Sequence, residues 1–420
     1  MLETPLAGPV KSAHAMANTP SAPDKHRVRW WLVTGVLCAF VATIFTAVSV
    51  IRFLDLAVYR AAGQAVLHGI DPYGPGLLAR LPFTYPPAAG WFFAPLAAVP
   101  WSVTPYLWSV ITLLLLAWVV HRALLVAAPS LTGAQESLTI SGIVALSSVS
   151  APVADHLGFG QINIALMAAC VYDVVGSGRR TSRRLPQGLL IGFATAIKLT
   201  PGIFIVYLLI TRRYRAAGIA TAGAIALTVV AAALSPHATS KFFGDVFWNL
   251  GERVGLGNNA VIGNQSLQGA MLRLLGPDTE KMLWPVLVAV AGLAGLWAAR
   301  RVFQNRGDLA GSCVIGLLVV VVSPVSWTHY LVWLIPLLVL LVSSRRRGEQ
   351  VVAIVITVAL LARTHRLGGD FSLTANDWFS KIGAALLANS YLLICVAVIV
   401  YLAVTPRRAS STSSHTDRVL

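Results

Sequence analysis

Long apolar runs recur along the chain, and the polar positions between them are gathered into brief clusters with no extended polar block. Roughly 20 apolar residues in a helix match the thickness of a bilayer, so the pattern predicts spans near 30–50, 104–128, 137–155, 160–178, 216–235, 282–299, 308–323, 329–343, 350–363 and 382–404. The first has spanning length and no small-residue cleavage site after it, which makes it a retained helix rather than a signal peptide. Two stretches depart from the simple pattern. Pro186 to Ile210 lies between two arginine clusters, so it must enter and leave on one side, with Lys198-Leu199-Thr200-Pro201-Gly202 at its apex. Counted as two short helices, it brings the expected total to about 12. The second, Thr84 to Trp101, is dense in aromatics and is expected to be a re-entrant or interfacial hairpin at headgroup level.

Basic residues orient these spans. Lys25/Arg27/Arg29, Arg179/Arg180/Arg183/Arg184, Arg212/Arg213/Arg215, Arg300/Arg301/Arg306, Arg345/Arg346/Arg347 and Arg407/Arg408 fall in alternate connections and are expected to be cytoplasmic. The opposite connections are nearly neutral: Pro236 to Lys281 holds Lys241, Arg253, Arg273 and Lys281 against Asp245, Glu252, Asp278 and Glu280. Composition agrees, with 56% hydrophobic and 11% charged residues and a mean hydropathy of +0.73, outside the range of ordinary soluble domains. The net charge of +16 is explained by headgroup-facing clusters and requires no nucleic acid. Cys38, Cys170, Cys313 and Cys395 are isolated in apolar stretches and read as small core residues. The expected organisation is therefore a disordered cytoplasmic segment 1–29, one all-α polytopic domain over 30–404, and a disordered cytoplasmic tail 405–420. The protein is expected in the plasma membrane as a multi-pass protein, and its oligomeric state is open.

Chemically capable residues collect on the outer side of this topology. Asp55 follows the first span in Ile51-Arg52-Phe53-Leu54-Asp55-Leu56-Ala57-Val58-Tyr59-Arg60, and Asp55 and Tyr59, with Arg52, share a face of an amphipathic surface helix. A carboxylate where membrane meets water is either a partly desolvated catalytic base or simply the first solvated residue after a span. Gly69-Ile70-Asp71-Pro72-Tyr73 reads as a turn. In Asp155-His156-Leu157-Gly158-Phe159-Gly160-Gln161-Ile162-Asn163, the amides of Gln161 and Asn163 suit sugar hydroxyls or cap the following helix, and His156 adds to the same corner. Lys198 at membrane depth needs an anionic partner, either a protein carboxylate or a ligand phosphate. Asn264-Gln265-Ser266 forms an N-x-S sequon, although glycosylation is not expected of it, and supplies Gln265. His329 in Ser323-Pro324-Val325-Ser326-Trp327-Thr328-His329-Tyr330 either meets a phosphate, orients Asp55 or satisfies a buried loop carbonyl. Walker-type, dinucleotide, zinc and G-x-S-x-G motifs are all missing, and no soluble region could bind a nucleotide sugar.

Taken in order, Leu54 to Arg60, Gly69 to Tyr73, Phe83-Thr84-Tyr85-Pro86-Pro87, Gly160 to Asn163, Lys198 to Pro201, Asn264 to Ser266 and Ser323 to His329 resemble glycosyltransferase family 87, a group of GT-C membrane enzymes. The likeness is strongest to its actinobacterial, in particular mycobacterial, α-1,2-mannosyltransferases. It implies a polyprenyl-phosphate mannose donor, a phosphatidylinositol mannoside-type glycolipid acceptor on the outer leaflet, and Asp55 as general base. Where the family has a pair of histidines, this chain has His329 followed by Tyr330, so a second histidine has no counterpart. The expected reaction is an inverting displacement at the anomeric carbon by an acceptor 2-hydroxyl. Lys198, His329 and Arg253 would stabilise the leaving phosphate. Tyr59, Tyr85, His156, Gln161, Asn163 and Gln265 are the expected substrate contacts. No metal or other cofactor is expected, because only Asp155 or Asp71 could supply a second carboxylate. Arabinofuranosyl transfer and lipomannan branching are alternatives within the family; a lipid or solute transporter is the alternative from another class, weakened by polar clusters on one side only.

Overall fold

The computed structural model describes residues 25–48, 53–74, 77–78, 81–175, 185–254, 258–374 and 377–405. Arg52, the cluster Arg179 to Arg184, Arg407, Arg408 and the segments 1–24 and 406–420 lie outside the described residues. The first half contains α1 (Lys25–Val48), α2 (Leu54–Leu67), α3 (Pro87–Phe93), α4 (Thr104–Ala127), α5 (Gly133–Val149), α6 (Ala151–Phe159), α7 (Asn163–Val174), α8 (Leu189–Ile197), α9 (Ile203–Ile210) and α10 (Tyr214–Leu234). It continues with α11 (Pro236–Lys241), α12 (Leu250–Val254), α13 (Leu267–Leu275), α14 (Pro277–Arg306), α15 (Asp308–Val322), α16 (Leu334–Val342), α17 (Arg347–Leu361), α18 (Thr364–Thr374), α19 (Trp378–Ala388) and α20 (Ser390–Val404). Among the described residues the only β pairing is two isolated bridges, Leu78 with Leu81 and Asn264 with Trp327.

Stripes of large apolar side chains face outward on the long helices. On α14 they are Met282, Val286, Val290, Leu293 and Trp297, and on α1 Leu32, Val36, Phe40, Ile44 and Val48. Such faces are stable only against lipid. The described part of α1, together with α4, α10 and α14, is long and apolar enough to cross a bilayer. Two predicted spans prove to be bent pairs, α5 with α6 at 75° and α19 with α20 at 67°. The first bend follows from Pro152, which lacks the N–H needed to continue α5 past Ser150. Shorter apolar helices lie in the predicted spans 160–178, 308–323 and 329–343, so the predicted spans are a mixture of full-length, bent and short elements. α1 also begins at Lys25 rather than Trp30, since no Gly or Pro separates Lys25 from the apolar run.

The broken segment has the expected geometry. Gly188 and Gly192, at the start of α8, lie so close to Ala216 and Ala220 of α10 that a Cβ would meet their carbonyl oxygens at 2.0 and 2.4 Å. Small residues at this seam let α8 and α10 run side by side. α9 ends at Ile210, just before α10 starts, so α8 and α9 form a hairpin with Lys198 in extended backbone at its apex. Lys198 is thereby lifted out of helical geometry and aimed by tertiary contacts.

Two ends of the bundle differ in chemistry. Arg213 pairs with Asp308, Arg306 with Glu349, and Arg301 and Arg306 reach the backbone carbonyls of Ala403 and Thr405. From Asp308, α15 runs 15 residues, about 22 Å, to Ser323 at the opposite end, where a cavity opens. Over that end lies a second apolar core, separate from the main bundle, formed by Phe53, Leu56, Tyr59, Phe83, Tyr85 and Phe93 with Ile197 and Phe242. The aromatics from Phe83 to Trp101 therefore divide: Phe83, Tyr85 and Phe93 are buried in this core, Trp91 is half-buried, and Phe92 and Trp101 are exposed. The expected headgroup placement fits only the latter two.

Candidate active site

A cavity of about 400 Å³ opens at this end, lined by Asp55 and Tyr59 of α2, Tyr85, Gln161, Lys198, Arg253 of α12, and His329 with Tyr330. These residues come from six separate stretches of chain. What brings α2 to the α6–α7 turn is a close fit: Gly160, at φ +69°, ends α6, and a Cβ there would lie 2.6 Å from Leu56 Cβ. Phe53 also adopts a left-handed conformation, at φ 56°, and its N–H donates to Gly158 O at 2.9 Å. Gln161 is thus set directly beneath Asp55.

A continuous hydrogen-bonded chain follows. Gln161 Nε2 donates to Asp55 Oδ2 at 2.6 Å, and Gln161 Oε1 accepts from the Tyr59 hydroxyl at 3.0 Å and that of Tyr85 at 3.3 Å. The two hydroxyls are 2.6 Å apart. Lys198 Nζ donates to Tyr85 Oη at 3.4 Å and to Asn163 Oδ1 at 2.9 Å, and stands 4.4 Å from the centre of the Tyr330 ring. Among the described residues no carboxylate lies within ion-pair distance of Lys198. Burial pushes the Asp55 carboxyl up to about 6, against the Gln161 hydrogen bond and the Lys198 charge, both of which favour the anion. A half-buried carboxylate that titrates just below neutrality can accept a proton at physiological pH.

His329 is buried on the cavity wall, between Phe159 and Tyr330, and neither ring nitrogen has a hydrogen-bond partner. Arg253 donates from Nη2 to Tyr73 O at 3.3 Å, while its Nε is unpartnered. Three donor side chains with unused capacity, or with only neutral partners, therefore face one cavity. Such a wall can hold an anion.

Other expected contacts fall elsewhere. His156 Nε2 accepts the backbone N–H of Ile164 at 3.0 Å, so the imidazole caps α7, and it is absent from the cavity wall. Gln265 is fully buried; its Nε2 donates to Ile262 O and Ala388 O, and its Oε1 accepts from Tyr391 N, leaving nothing for a sugar. Asn163 is one step back from the cavity, bonded to Lys198 and to His329 O. The sequon is inaccessible: Asn264 and Ser266 are buried and clasp the loop after α15 through Pro324 O and Ser326 N. Asp155 pairs with Arg363 and Arg366, and Asp71 with Lys241 at 2.6 Å. Asp71 also accepts from Tyr73 N, as its turn motif requires. Among the described residues no three His, Cys, Asp or Glu side chains converge as metal ligands.

Sequence reasoning missed two features. In the sequence Tyr330 marks only the position where a histidine is missing, yet its ring forms a face of the Lys198 site. α18 was not anticipated at all; its His365 is 3.4 Å from Thr328 Oγ1, and Arg366 holds Asp155. The cluster Arg363, His365, Arg366 directly after a span was the available signal.

Comparison with known proteins adds an independent line. The model of glycosyltransferase family 87 matches residues 83–324, more than half of the chain. A polyprenol-phosphate-mannose-dependent alpha-(1-2)-phosphatidylinositol mannoside mannosyltransferase of Mycobacterium tuberculosis is 32% identical, over 80% of this chain and 82% of its own length. The protein of the same description from Mycolicibacterium smegmatis is 33% identical, over 86% of this chain and 85% of its own. The crystal structure of ArnT from Cupriavidus metallidurans bound to undecaprenyl phosphate aligns with 89% of this chain and 77% of its own at 17% identity and a TM-score of 0.43. From the family match and the extent of these identities, the chain belongs to glycosyltransferase family 87.

Proposed function

We propose that the protein transfers mannose from polyprenyl-phosphate mannose to a 2-hydroxyl of a phosphatidylinositol mannoside-type glycolipid, with inversion and with Asp55 as general base. The observation that carries this reading is that Asp55 and Lys198 line one cavity, where the carboxylate can take a proton and the ammonium has no anionic partner among the described residues. The acceptor oxygen bonds to the anomeric carbon as the bond from that carbon to the phosphate oxygen breaks. Asp55 Oδ1 receives the hydroxyl proton, and the lipid phosphate leaves as an anion toward Lys198, His329 and Arg253. A β-linked donor would yield an α-linked product. Being already weakly basic, the phosphate needs charge stabilisation more than a general acid. The descriptions of the relatives support the donor and the class of acceptor.

The reaction is proposed to need no metal, since Asp155 and Asp71 are engaged in ion pairs away from Asp55. The arginine-rich end is proposed to face the cytoplasm, with both termini, which puts the cavity on the periplasmic side. In support, the pairs Arg213 with Asp308 and Arg306 with Glu349 lie at the far end of α15 from the cavity. The test is transfer by purified protein in nanodiscs, with radiolabelled polyprenyl-phosphate mannose and mannosylated phosphatidylinositol, and the product linkage read by NMR. An α-1,2-linked product is expected. Transfer of arabinofuranose in its place, or transport in proteoliposomes without transfer, would overturn the reading.

A further inference from the structure

Four hydrogen bonds in series join the cation and the anion of the cavity: Lys198 donates to Tyr85, the Tyr85 and Tyr59 hydroxyls share one bond, Tyr59 donates to Gln161, and Gln161 donates to Asp55. We propose that Gln161 is a positioning residue for the reaction proposed above, holding Asp55 through Oδ2 and linking it by Tyr59 and Tyr85 to Lys198, so that base and phosphate site are set as one unit.

The amide has no freedom to serve otherwise. Gln161 is 5% exposed. Its backbone N–H donates to His156 O at 2.9 Å, and its carbonyl accepts from Trp108 Nε1 at 3.2 Å. Turning the side-chain amide over would set its oxygen 2.6 Å from a carboxylate oxygen and its NH₂ against hydroxyls now donating to it. The Asp55 carboxylate, which can only accept, therefore fixes which end of Gln161 meets it. With Oδ2 held, Oδ1 has no protein partner among the described residues and remains for the acceptor hydroxyl. Disturbance at the phosphate end is felt at the base, because polar chains in a low-dielectric site couple their members. The titratable and charged groups facing Asp55 from the packed elements are Tyr59, Tyr85, Lys198, Arg253, His329 and Tyr330. Of these, Tyr59, Tyr85 and Lys198 are joined to it through Gln161.

The test follows the titration of Asp55 itself. Carbodiimide reacts with a protonated carboxyl, so the pH dependence of Asp55 labelling, read by peptide mass spectrometry on folded protein in detergent, reports the carboxyl without substrate. Gln161→Leu should raise the midpoint by about one unit, a tenfold weaker acid. Gln161→Glu should raise it further, because two carboxyls at hydrogen-bond distance share a proton. Tyr59→Phe should move it the same way by less, and Tyr59→Phe with Gln161→Leu should match Gln161→Leu alone, as expected for one coupled chain. The acid limb of the pH–rate profile should move in step. A midpoint that shifts by less than about 0.2 units in Gln161→Leu, or additive effects in the double variant, would overturn the proposal. Absence of mannose transfer by the wild type would instead sink the functional reading, and the labelling midpoints would still judge the coupling.

Discussion

Lys198→Met keeps the aliphatic stem and removes the ammonium, and the structure gives opposite expectations for stability and for donor binding. In the free protein the ammonium's partners among the described residues are neutral: Asn163 Oδ1 at 2.9 Å, the Tyr85 hydroxyl at 3.4 Å, and two ring faces at 4.4 and 5.1 Å. Hydrogen bonds from a charged donor contribute about 1.5–3 kcal/mol each and a cation–π contact about 1 kcal/mol. Desolvating an ammonium costs several kcal/mol. These terms nearly cancel, so the substitution should leave stability within about 1 kcal/mol or raise it. A lipid phosphate changes the balance. At about 4 Å and an effective dielectric near 20, one pair of unit charges attracts by about 4 kcal/mol, which is about a thousandfold in affinity. Thermal unfolding in detergent, with and without polyprenyl phosphate, measures both quantities. The expected result is an unchanged or higher midpoint without lipid, and loss of the lipid-induced rise. A variant that unfolds much more easily when free yet binds the lipid phosphate like the wild type would refute the reasoning.

Below about pH 6 Asp55 is protonated and cannot accept a proton, so kcat/KM should fall about tenfold per unit there. A pH–rate profile with no acid limb between about 5 and 7 would contradict that assignment. Gly160→Ala forces a Cβ at φ +69° to within 2.6 Å of Leu56. It should cost about 1–3 kcal/mol in thermal stability and lower kcat by displacing Gln161. Gln265→Ala removes bonds to Ile262, Ala388 and Tyr391. The variant should lose about 3 kcal/mol of stability while its folded fraction keeps a wild-type donor KM, which a sugar-binding Gln265 would not allow.

The all-α, polytopic membrane fold could be read from the chain because lipid demands apolar faces over long helices, and α4, α10 and α14 carry that demand openly. Bends could be read less well: α5 breaks at Ser150 because of one proline two residues on, a local event inside an apolar run that hydropathy averages away. Gln161 and Gln265 show the limit at the site. Both are buried amides in polar outer clusters, yet the first meets a carboxylate and two tyrosines and the second meets only backbone. Partners so distant in sequence are chosen by packing, and one chain does not reveal them. Asp55 and Lys198 were legible because a charge beside or within a membrane always needs an account. His156 had the same polar neighbours, but its proximity to the α7 N-terminus decided its use.

The central claim is that Asp55 takes the acceptor proton, and Asp55→Asn tests it most directly, because the amide can still contact Gln161 and fill the same space. Single-turnover mannose transfer and donor binding should be measured on the same preparation at pH 8, where the wild-type carboxylate is ionised. Turnover should drop by about a hundredfold or more with donor affinity within about threefold of the wild type. Near-wild-type turnover in Asp55→Asn would remove Asp55 from that role.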